Sequence, residues 1–528
     1  MRVTFEKPNR FVLTCSYEQR SIAREHKFIW DADSRYWYTT QFEHAAKLRE
    51  YFDEDLKKKI KRFSVVKKPW LGSVPPLPYG VKLLPHQERG VKFALERNHS
   101  YISFDMGLGK TLTSIAVINS VYAKTEGAKR ANFKALIIVP PFLIHNWIKE
   151  IHKFKAFRFF VNVLRKASDE LKAEDIVILP DSIVHVPEVF ENLMAHRWNV
   201  IVVDEAQRFL NAETKRTISV LGDEAKRGIV HRGAKVVMLS GTPMRSGHIE
   251  LWPVLRSLAW NSIDYMSRHR YGLEYCGAHQ VEAYRGKFVW DYSGSTNSKS
   301  LREKIEGTFF LTEKLEANVK ELKGLLLERV VVLDHKLKAK VYKLDESLRV
   351  EARPLEDLVK GAELGDIATY RRELSLEKVM PAVQYVQNIL DSSNDQVLVF
   401  FYHTEALELF SEKMKRYGVG VINGETPMKT RDKITEGFQA KKFRVLSANI
   451  FTMVGLNLTN AKRIVFVESS WNSTDNDQAK ARAYRIGQDK LVTVDHLTLA
   501  DTLDEYVLNK VIKKRNLIDK VFNHQPKR

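Results

Sequence analysis

Asp105-Met106-Gly107-Leu108-Gly109-Lys110-Thr111 lies between a β-prone stretch, Tyr101 to Phe104, and a helix-like run, Leu112 to Asn119. Strand, glycine turn and helix start, in that order, leave few folds open. The turn's backbone N–H groups form a cradle for phosphate oxygens, and the strand that delivers it must pair with others in a sheet. In such a cradle Lys110 reaches the β/γ-phosphates and the Thr111 hydroxyl sits on Mg²⁺. The generic phosphate-loop pattern has a further glycine where this chain has Phe104. A second segment, Asp204-Glu205-Ala206-Gln207, ends the apolar run Val200 to Val203, so its carboxylates emerge at the C-terminal edge of a strand. Asp204 is expected to hold the metal and Glu205 to orient or activate the attacking water. Together the two segments predict a nucleoside-triphosphate hydrolase.

A chain of 528 residues is too long for one core, and roughly three or four domains are expected. Hydrophobic residues at 44% and aromatic residues at 10% describe a folded protein. Lys and Arg number 85 against 65 Asp and Glu, a net charge of +20. That surplus favours a polyanionic partner, nucleic acid first and an anionic membrane surface second. No apolar run approaches the ~18 residues of a membrane span. Charges interrupt residues 1–16, unlike a secretory signal. Cys15 and Cys276 are too few for a disulfide scaffold or a zinc site, which predicts a reducing, intracellular setting.

Residues 1–62 read as a small α+β module. Phe11 to Thr14 is a strand, Tyr17 to Lys27 a helix, and Phe28 to Tyr38 a hairpin turning at Asp31 to Ser34. Phe42 to Arg62 reads as one long helix with a basic tail from Lys57. Residues 63–80 form a proline-rich linker. Strand-like runs alternate with helical patterns over 81–247 and again over 381–500, which predicts two parallel-sheet lobes. Between them, 248–380 reads as a mostly helical insertion, and 501–528 as a brace helix and tail.

The second lobe holds Gln478-Ala479-Lys480-Ala481-Arg482-Ala483-Tyr484-Arg485-Ile486-Gly487-Gln488. On a helix Arg482 and Arg485 project from one face, and closure of the lobes would bring them to the γ-phosphate. Arginine fingers of this kind are worth about 10³–10⁵ in rate. The order of segments resembles the helicase-like ATPases of superfamily two, and specifically the Swi/Snf family. Leu84-Pro85-His86-Gln87 looks like the adenine-side glutamine segment. Leu136 to Pro140 with Asn146-Trp147 resembles the next family motif, on the nucleic-acid side. Leu239-Ser240-Gly241-Thr242-Pro243 looks like the coupling segment, followed by Glu250-Leu251-Trp252. Asn423-Gly424, Arg431 to Phe438, Gly455-Leu456-Asn457-Leu458-Thr459 and Glu468 with Trp471-Asn472 continue the family order.

The resemblance covers roughly 80–510 and implies two RecA-like lobes that use ATP and Mg²⁺. It implies Lys110, Asp204, Glu205, Arg482 and Arg485 as catalytic. Gln87, Gly107, Gly109, Lys110, Thr111 and Gly455 would bind nucleotide, with Thr111 and Asp204 on the metal. Gln207, Ser240, Thr242 and Gln478 would couple hydrolysis to movement, and Asn146 and Trp147 would face DNA. The chain departs from the family at Gln207 (usually histidine), Val454 (glycine) and Ser473 (proline), and its arginine-rich segment is reduced to Phe309 to Lys314.

Phe28, Trp30 and Arg35-Tyr36-Trp37 look like the small substrate-recognition domain ahead of the ATPase in annealing helicases. An aromatic such as Trp30 or Trp37 would then stack on an unpaired base, with Arg35 also on the DNA, while the run from Lys57, Lys58 and Lys59 to Arg62 holds the phosphate track and at least one aromatic is exposed. The alternative is that Trp30, Trp37 and Phe42 fill a mini-core. The expected activity is a DNA-dependent ATPase and translocase acting, as a monomer, on duplex, forked or branched DNA without sequence preference. The rivals are a translocase that displaces bound proteins such as RNA polymerase, a nucleotide-gated clamp with little turnover, and an RNA remodeller. A bacterial or virus-infected cytoplasm is the expected setting, although the Lys-rich run also fits a nuclear address.

Overall fold

The structure is a computed structural model. It describes the chain except residues 7–9, 62, 128–129, 131, 167–168, 170, 172–173, 224–225, 285–286, 320–321, 323, 334–338, 344–363, 453–455, 457, 486, 500–501 and 523–528. Two compact units result: Met1–Asp105 with Gly109–Glu313 and Leu517–Arg528, and Met106–Leu108 with Lys314–Asn516.

The first unit is built on a seven-stranded parallel sheet. Its order is Phe310–Glu313, His99–Phe104, Gly233–Leu239, Trp198–Val203, Ala135–Val139, Ile176–Pro180 and Val161–Val163. The strands Ala135–Val139 and Ile176–Pro180 are buried throughout, as expected when helices cover both faces. The second unit repeats the plan: Leu326–Leu333, Val492–Leu499, Arg463–Phe466, Val397–Phe401, Val445–Asn449 and Val419–Ile422 are parallel neighbours. Ala339–Lys343 adds one antiparallel edge strand.

The stretch between the lobes carries helices at Trp252–Leu258, Arg268–Tyr275, Ser298–Ile305 and Leu364–Glu377. It also carries strands that were not expected. Phe310–Glu313 completes the first sheet, and His279–Tyr284 pairs with Lys287–Asp291 as a separate hairpin. Both were hidden because their apolar runs, Phe309 to Leu311 and Phe288 to Trp290, are shorter than the roughly four to eight residues that signal a strand.

The N-terminal strands form an antiparallel sheet in the order Arg2–Glu6, Arg10–Thr14, Tyr36–Thr39, Ile29–Asp31. The single long helix expected from Phe42 is instead three pieces. Phe42–Ala45 is α-helical, Ala46–Tyr51 is 3₁₀, and Phe52 is extended before the helix Glu54–Lys61. The break falls where the chain bonds to the first strand: Phe52 bridges to Val3, the Asp53 N–H donates to the Val3 carbonyl at 3.0 Å, and Asp53 Oδ1 accepts the Leu56 N–H at 2.8 Å, capping the next helix. The module packs on the first lobe. Phe42 stacks on Trp260 at 4.7 Å and meets Tyr265 edge-on at 5.0 Å. Glu43 accepts the Ser267 N–H at 3.2 Å.

Residues 63–68, expected to belong to the linker, are tied to the lobe. Asn261 accepts the Val65 N–H at 2.8 Å and donates to the Val65 carbonyl at 3.2 Å. Asn98 accepts the Val66 N–H at 2.6 Å and donates to the Ser64 carbonyl at 2.9 Å. Among the described residues no helix is long and apolar enough to cross a membrane.

Candidate functional site

The strand His99–Phe104 runs into the glycine turn, and the helix Lys110–Lys124 starts directly after it. Gly107 (φ +87°) and Gly109 (φ +77°) are left-handed, a conformation that a side chain resists. At Gly109 space forbids one as well: a Cβ would stand 2.4 Å from Gln87 Nε2. Gln87 is buried, and its Oε1 accepts the Leu84 N–H at 3.0 Å, capping the helix Pro85–Leu95. The expected adenine-side glutamine thus rests against the phosphate loop. Lys110 Nζ donates to the carbonyls of Phe104 at 2.8 Å and Asp105 at 3.3 Å. Thr111 follows in the first helical turn, half-buried.

Asp204 ends the strand Trp198–Val203 and is nearly buried. Its Oδ2 accepts the Trp147 indole N–H at 2.8 Å, and its Oδ1 accepts the Glu205 N–H at 2.9 Å. Burial and the adjacent Glu205 charge push the Asp204 carboxyl above its usual range; Trp147 and Lys110 oppose them. This corrects the expectation for Trp147. It is fully buried on the helix Ile144–Phe154, with its one polar atom bonded to Asp204, and presents nothing to DNA. Its neighbour Asn146 is half-buried on the same helix. Sequence reasoning missed this role because the two residues belong to different strand–helix units.

Glu205 is itself left-handed (φ 49°, ψ 50°), a strain of about 1–3 kcal/mol in a non-glycine residue. Gln207 donates through Nε2 to Glu205 Oε2 and accepts the Ser240 hydroxyl at 2.6 Å. Ser240 Oγ accepts the Thr242 N–H at 2.9 Å. Gln207, Ser240 and Thr242, expected to couple, are therefore one chain of bonds from the carboxylate of Glu205 to the end of the neighbouring strand. The amide explains why glutamine suits position 207: it donates to one partner and accepts from the other at any pH. Beyond it, Glu250 gathers the Arg245 and Ser246 N–H groups at 2.6 and 3.0 Å, closing the coupling loop.

Among the described residues no group of three or more His, Cys, Asp or Glu could hold a metal ion. A hydroxyl and a carboxylate are nonetheless hard oxygen donors of the kind Mg²⁺ takes, with phosphate oxygens and water completing its shell. The raised Asp204 carboxyl fits this, because a bound divalent cation would offset both the burial and the Glu205 repulsion that raise it.

In the second unit the helix Ser473–Lys480 ends before the arginines, so the shared helix face expected for Arg482 and Arg485 is not formed. Both lie half-buried in the turns that follow. Arg482 Nε donates to the Gln478 carbonyl at 3.0 Å, and Arg485 Nη1 to that of Leu456 at 3.4 Å. The turn is shaped by Gln488, a residue given no role from sequence. Its buried amide donates to the carbonyls of Thr459, Ala461 and Ala483 at 2.9, 3.2 and 3.2 Å. Lys480, just before the turn, is anchored at 2.7 Å to buried Glu328, which also takes Arg515 at 3.0 Å. Gly455 lies outside the described residues.

In the N-terminal module Trp30 is 47% exposed and Trp37 half-buried against the core, their rings 5.5 Å apart across the strand pair. Arg35, at the hairpin turn, and Lys57 and Lys58, on the helix Glu54–Lys61, are exposed, with Lys57 paired to Glu54 at 3.1 Å. Lys59 is on that same helix. One aromatic is thus open, one shared, and Phe42 is core.

Residues 86–322 match the SNF2-related domain model, and residues 381–487 match the helicase conserved C-terminal domain. The chain is 26% identical, over 82% of its length and 43% of the relative's, to the SWI/SNF-related matrix-associated actin-dependent regulator of chromatin subfamily A-like protein 1 of Xenopus laevis. It is 24% identical to the DNA annealing helicase and endonuclease ZRANB3 of Bos taurus, over 84% of this chain and 41% of that one. It is 25% identical to the putative ATP-dependent helicase/translocase YwqA of Bacillus subtilis (strain 168), over 84% and 49%. The chain thus spans less than half the length of these relatives.

Proposed function

Because the chain belongs to the Swi/Snf family of helicase-like ATPases of superfamily two, we propose that it is a DNA-dependent ATPase that tracks along duplex DNA and remodels branches and forks by annealing, fork regression or branch migration. The observation that carries this reading is that the module with the open Trp30 packs on the very lobe that holds the phosphate loop. Relatives whose names include annealing helicase and translocase support it. The net charge of +20 supports a phosphate-backbone grip, sequence-independent and weakened by salt.

In this mechanism the loop N–H groups and Lys110 bind the triphosphate, with Gln87 on the adenine side. Thr111 and Asp204 would hold Mg²⁺, which would supply charge neutralisation to the phosphoryl oxygens. Glu205 positions water for attack, and its carboxylate is held by Gln207. Arg482 and Arg485 meet the charge that develops on the transferred group. Loss of the γ-phosphate frees Glu205, and the Gln207–Ser240–Thr242 chain carries that change to the coupling loop.

The test is ATP hydrolysis without DNA and with single strands, plain duplex and forked duplex, with Glu205→Gln as the inactive control. Greatest stimulation on the fork is expected. Equal stimulation by plain duplex would favour a protein-displacing translocase, and no stimulation by any DNA would sink the reading. Lys110→Ala is expected to abolish turnover and leave DNA binding intact.

A further inference from the structure

The hairpin His279–Tyr284/Lys287–Asp291 is unusual in what it leaves open. Every residue from Lys287 to Trp290 is exposed, with Phe288 at 62%, Val289 at 48% and Trp290 at 40%. Strand alternation puts Phe288, Trp290 and the following Tyr292 on one face. Their exposure rises from the half-buried Tyr292 to Phe288 nearest the hairpin's end.

The base of this row is anchored. His269, on the helix Arg268–Tyr275, meets Trp290 edge-on at 4.5 Å, and its Nδ1 lies 3.2 Å from the Tyr292 hydroxyl. Tyr292 also fills the space over Gly272, where a Cβ would stand 2.3 Å from its ring. The outer rings are thus held out from a rigid base, which costs solvation and is not explained by packing within the chain.

The surroundings are mainly cationic. Lys287, Arg268 and Arg270 are exposed, and the two arginines are only loosely paired, 3.8 Å from Glu213 and 3.9 Å from Glu43. Of the nearby carboxylates, Asp291 is bonded to the Ser293 N–H and hydroxyl at 2.8 and 3.0 Å, and Glu282 faces Phe288 across the pair. Alternate residues along a strand stand about 6.7 Å apart, close to twice the ~3.4 Å rise of stacked bases, so rings in this row can interleave with a single strand.

We propose that the Phe288–Trp290 face of this hairpin is a stacking platform for unpaired bases of a DNA branch, flanked by Lys287, Arg268 and Arg270 on the phosphates. This rests on the proposed DNA-remodelling function and names the part of a branched substrate that the first lobe would grip. A paired duplex hides its base faces, so the platform discriminates single strands from duplex.

The full chain is titrated into a short single-stranded oligodeoxythymidylate bearing one 2-aminopurine, and into the same strand annealed to its complement. Phe288→Ala, which removes the most exposed ring, should weaken single-strand binding roughly 5- to 100-fold, whereas Phe288→Tyr retains it. Duplex binding and duplex-stimulated hydrolysis should be unchanged. Single-strand affinity unchanged in both Phe288→Ala and Phe288→Ala/Trp290→Ala overturns the platform, as does an equal loss on duplex. A wild-type chain that no DNA stimulates overturns the proposed function instead, so the two failures are distinguishable.

Discussion

Asp204 and Trp147 show how much one buried polar contact can decide. A carboxylate at the end of a parallel strand is desolvated on nearly every side, and the Glu205 charge beside it adds repulsion. The Trp147 N–H offsets part of that cost; hydrogen bonds to charged groups are worth about 1.5–3 kcal/mol. Trp147→Phe keeps an aromatic six-membered ring but deletes the indole donor. It is expected to lower kcat by roughly 10-fold or more and to raise the Mg²⁺ concentration for half-maximal hydrolysis, with DNA affinity unchanged. The raised Asp204 carboxyl has a further consequence. A group that resists ionisation in the folded state costs stability once pH exceeds its unfolded value near ~3.9, and costs most when it is fully ionised in the fold. In thermal unfolding without nucleotide, Asp204→Asn should therefore melt higher than wild type at pH 8, with the gap closing as pH approaches 4. A gap that widens on acidification would contradict the raised carboxyl.

The phosphate loop, the acidic strand end and the arginine turn are each supported by a neighbour that touches no phosphate. Gln87 lies against Gly109, Gln207 ties Glu205 to Ser240, and Gln488 folds the 481–488 turn onto 458–461. Glutamine recurs because it donates and accepts at once and stays neutral, so it can bridge backbone groups without adding charge to a site that must bind a polyanion. Gln488→Leu conserves volume and removes the amide's bonds to the three carbonyls; kcat should fall at least 10-fold while ATP affinity changes little, as measured by nucleotide titration and steady-state hydrolysis. The Glu328–Lys480–Arg515 cluster anchors the same region from below. Desolvation opposes ionisation of Glu328, but the two cations outweigh it and hold its carboxyl far below the usual range. Its stabilisation is therefore present at neutral pH and lost as pH falls below about 4.3. Glu328→Gln leaves a buried lysine without its full counter-charge and should cost about 3–5 kcal/mol at pH 7, with the difference shrinking in acid; urea unfolding at two pH values reads this directly.

At the scale of the whole chain, the N-terminal module is continuous with the first lobe: Phe42, Trp260 and Tyr265 share one cluster, and Asn98 and Asn261 pin residues 64–66. Asn261→Ala should expose 63–80 to limited proteolysis and blunt any preference for forks, leaving DNA-independent hydrolysis intact; unchanged proteolysis would mean that the pin is dispensable. The chain's local chemistry was legible in the sequence. Tyr101 to Phe104, the glycines, Lys110-Thr111 and the helix after them are consecutive residues whose conformations follow from their own backbone and side-chain preferences. The strand ending at Asp204 and the doubled α/β alternation depend likewise on short-range patterns. What the tertiary structure decided depends on residues far apart in sequence. Trp147 faces Asp204 because two strand–helix units pack side by side, and the helix expected from Phe42 breaks because Phe52 and Asp53 bond to the strand at Val3, far away in sequence. Arg482 and Arg485 leave the helix because Gln488 and the 458–461 turn offer the backbone better partners, and the Phe288–Trp290 row is exposed because no other described element covers it. Periodicity reports which residues prefer burial; only the packed fold determines what buries them, and where burial is withheld.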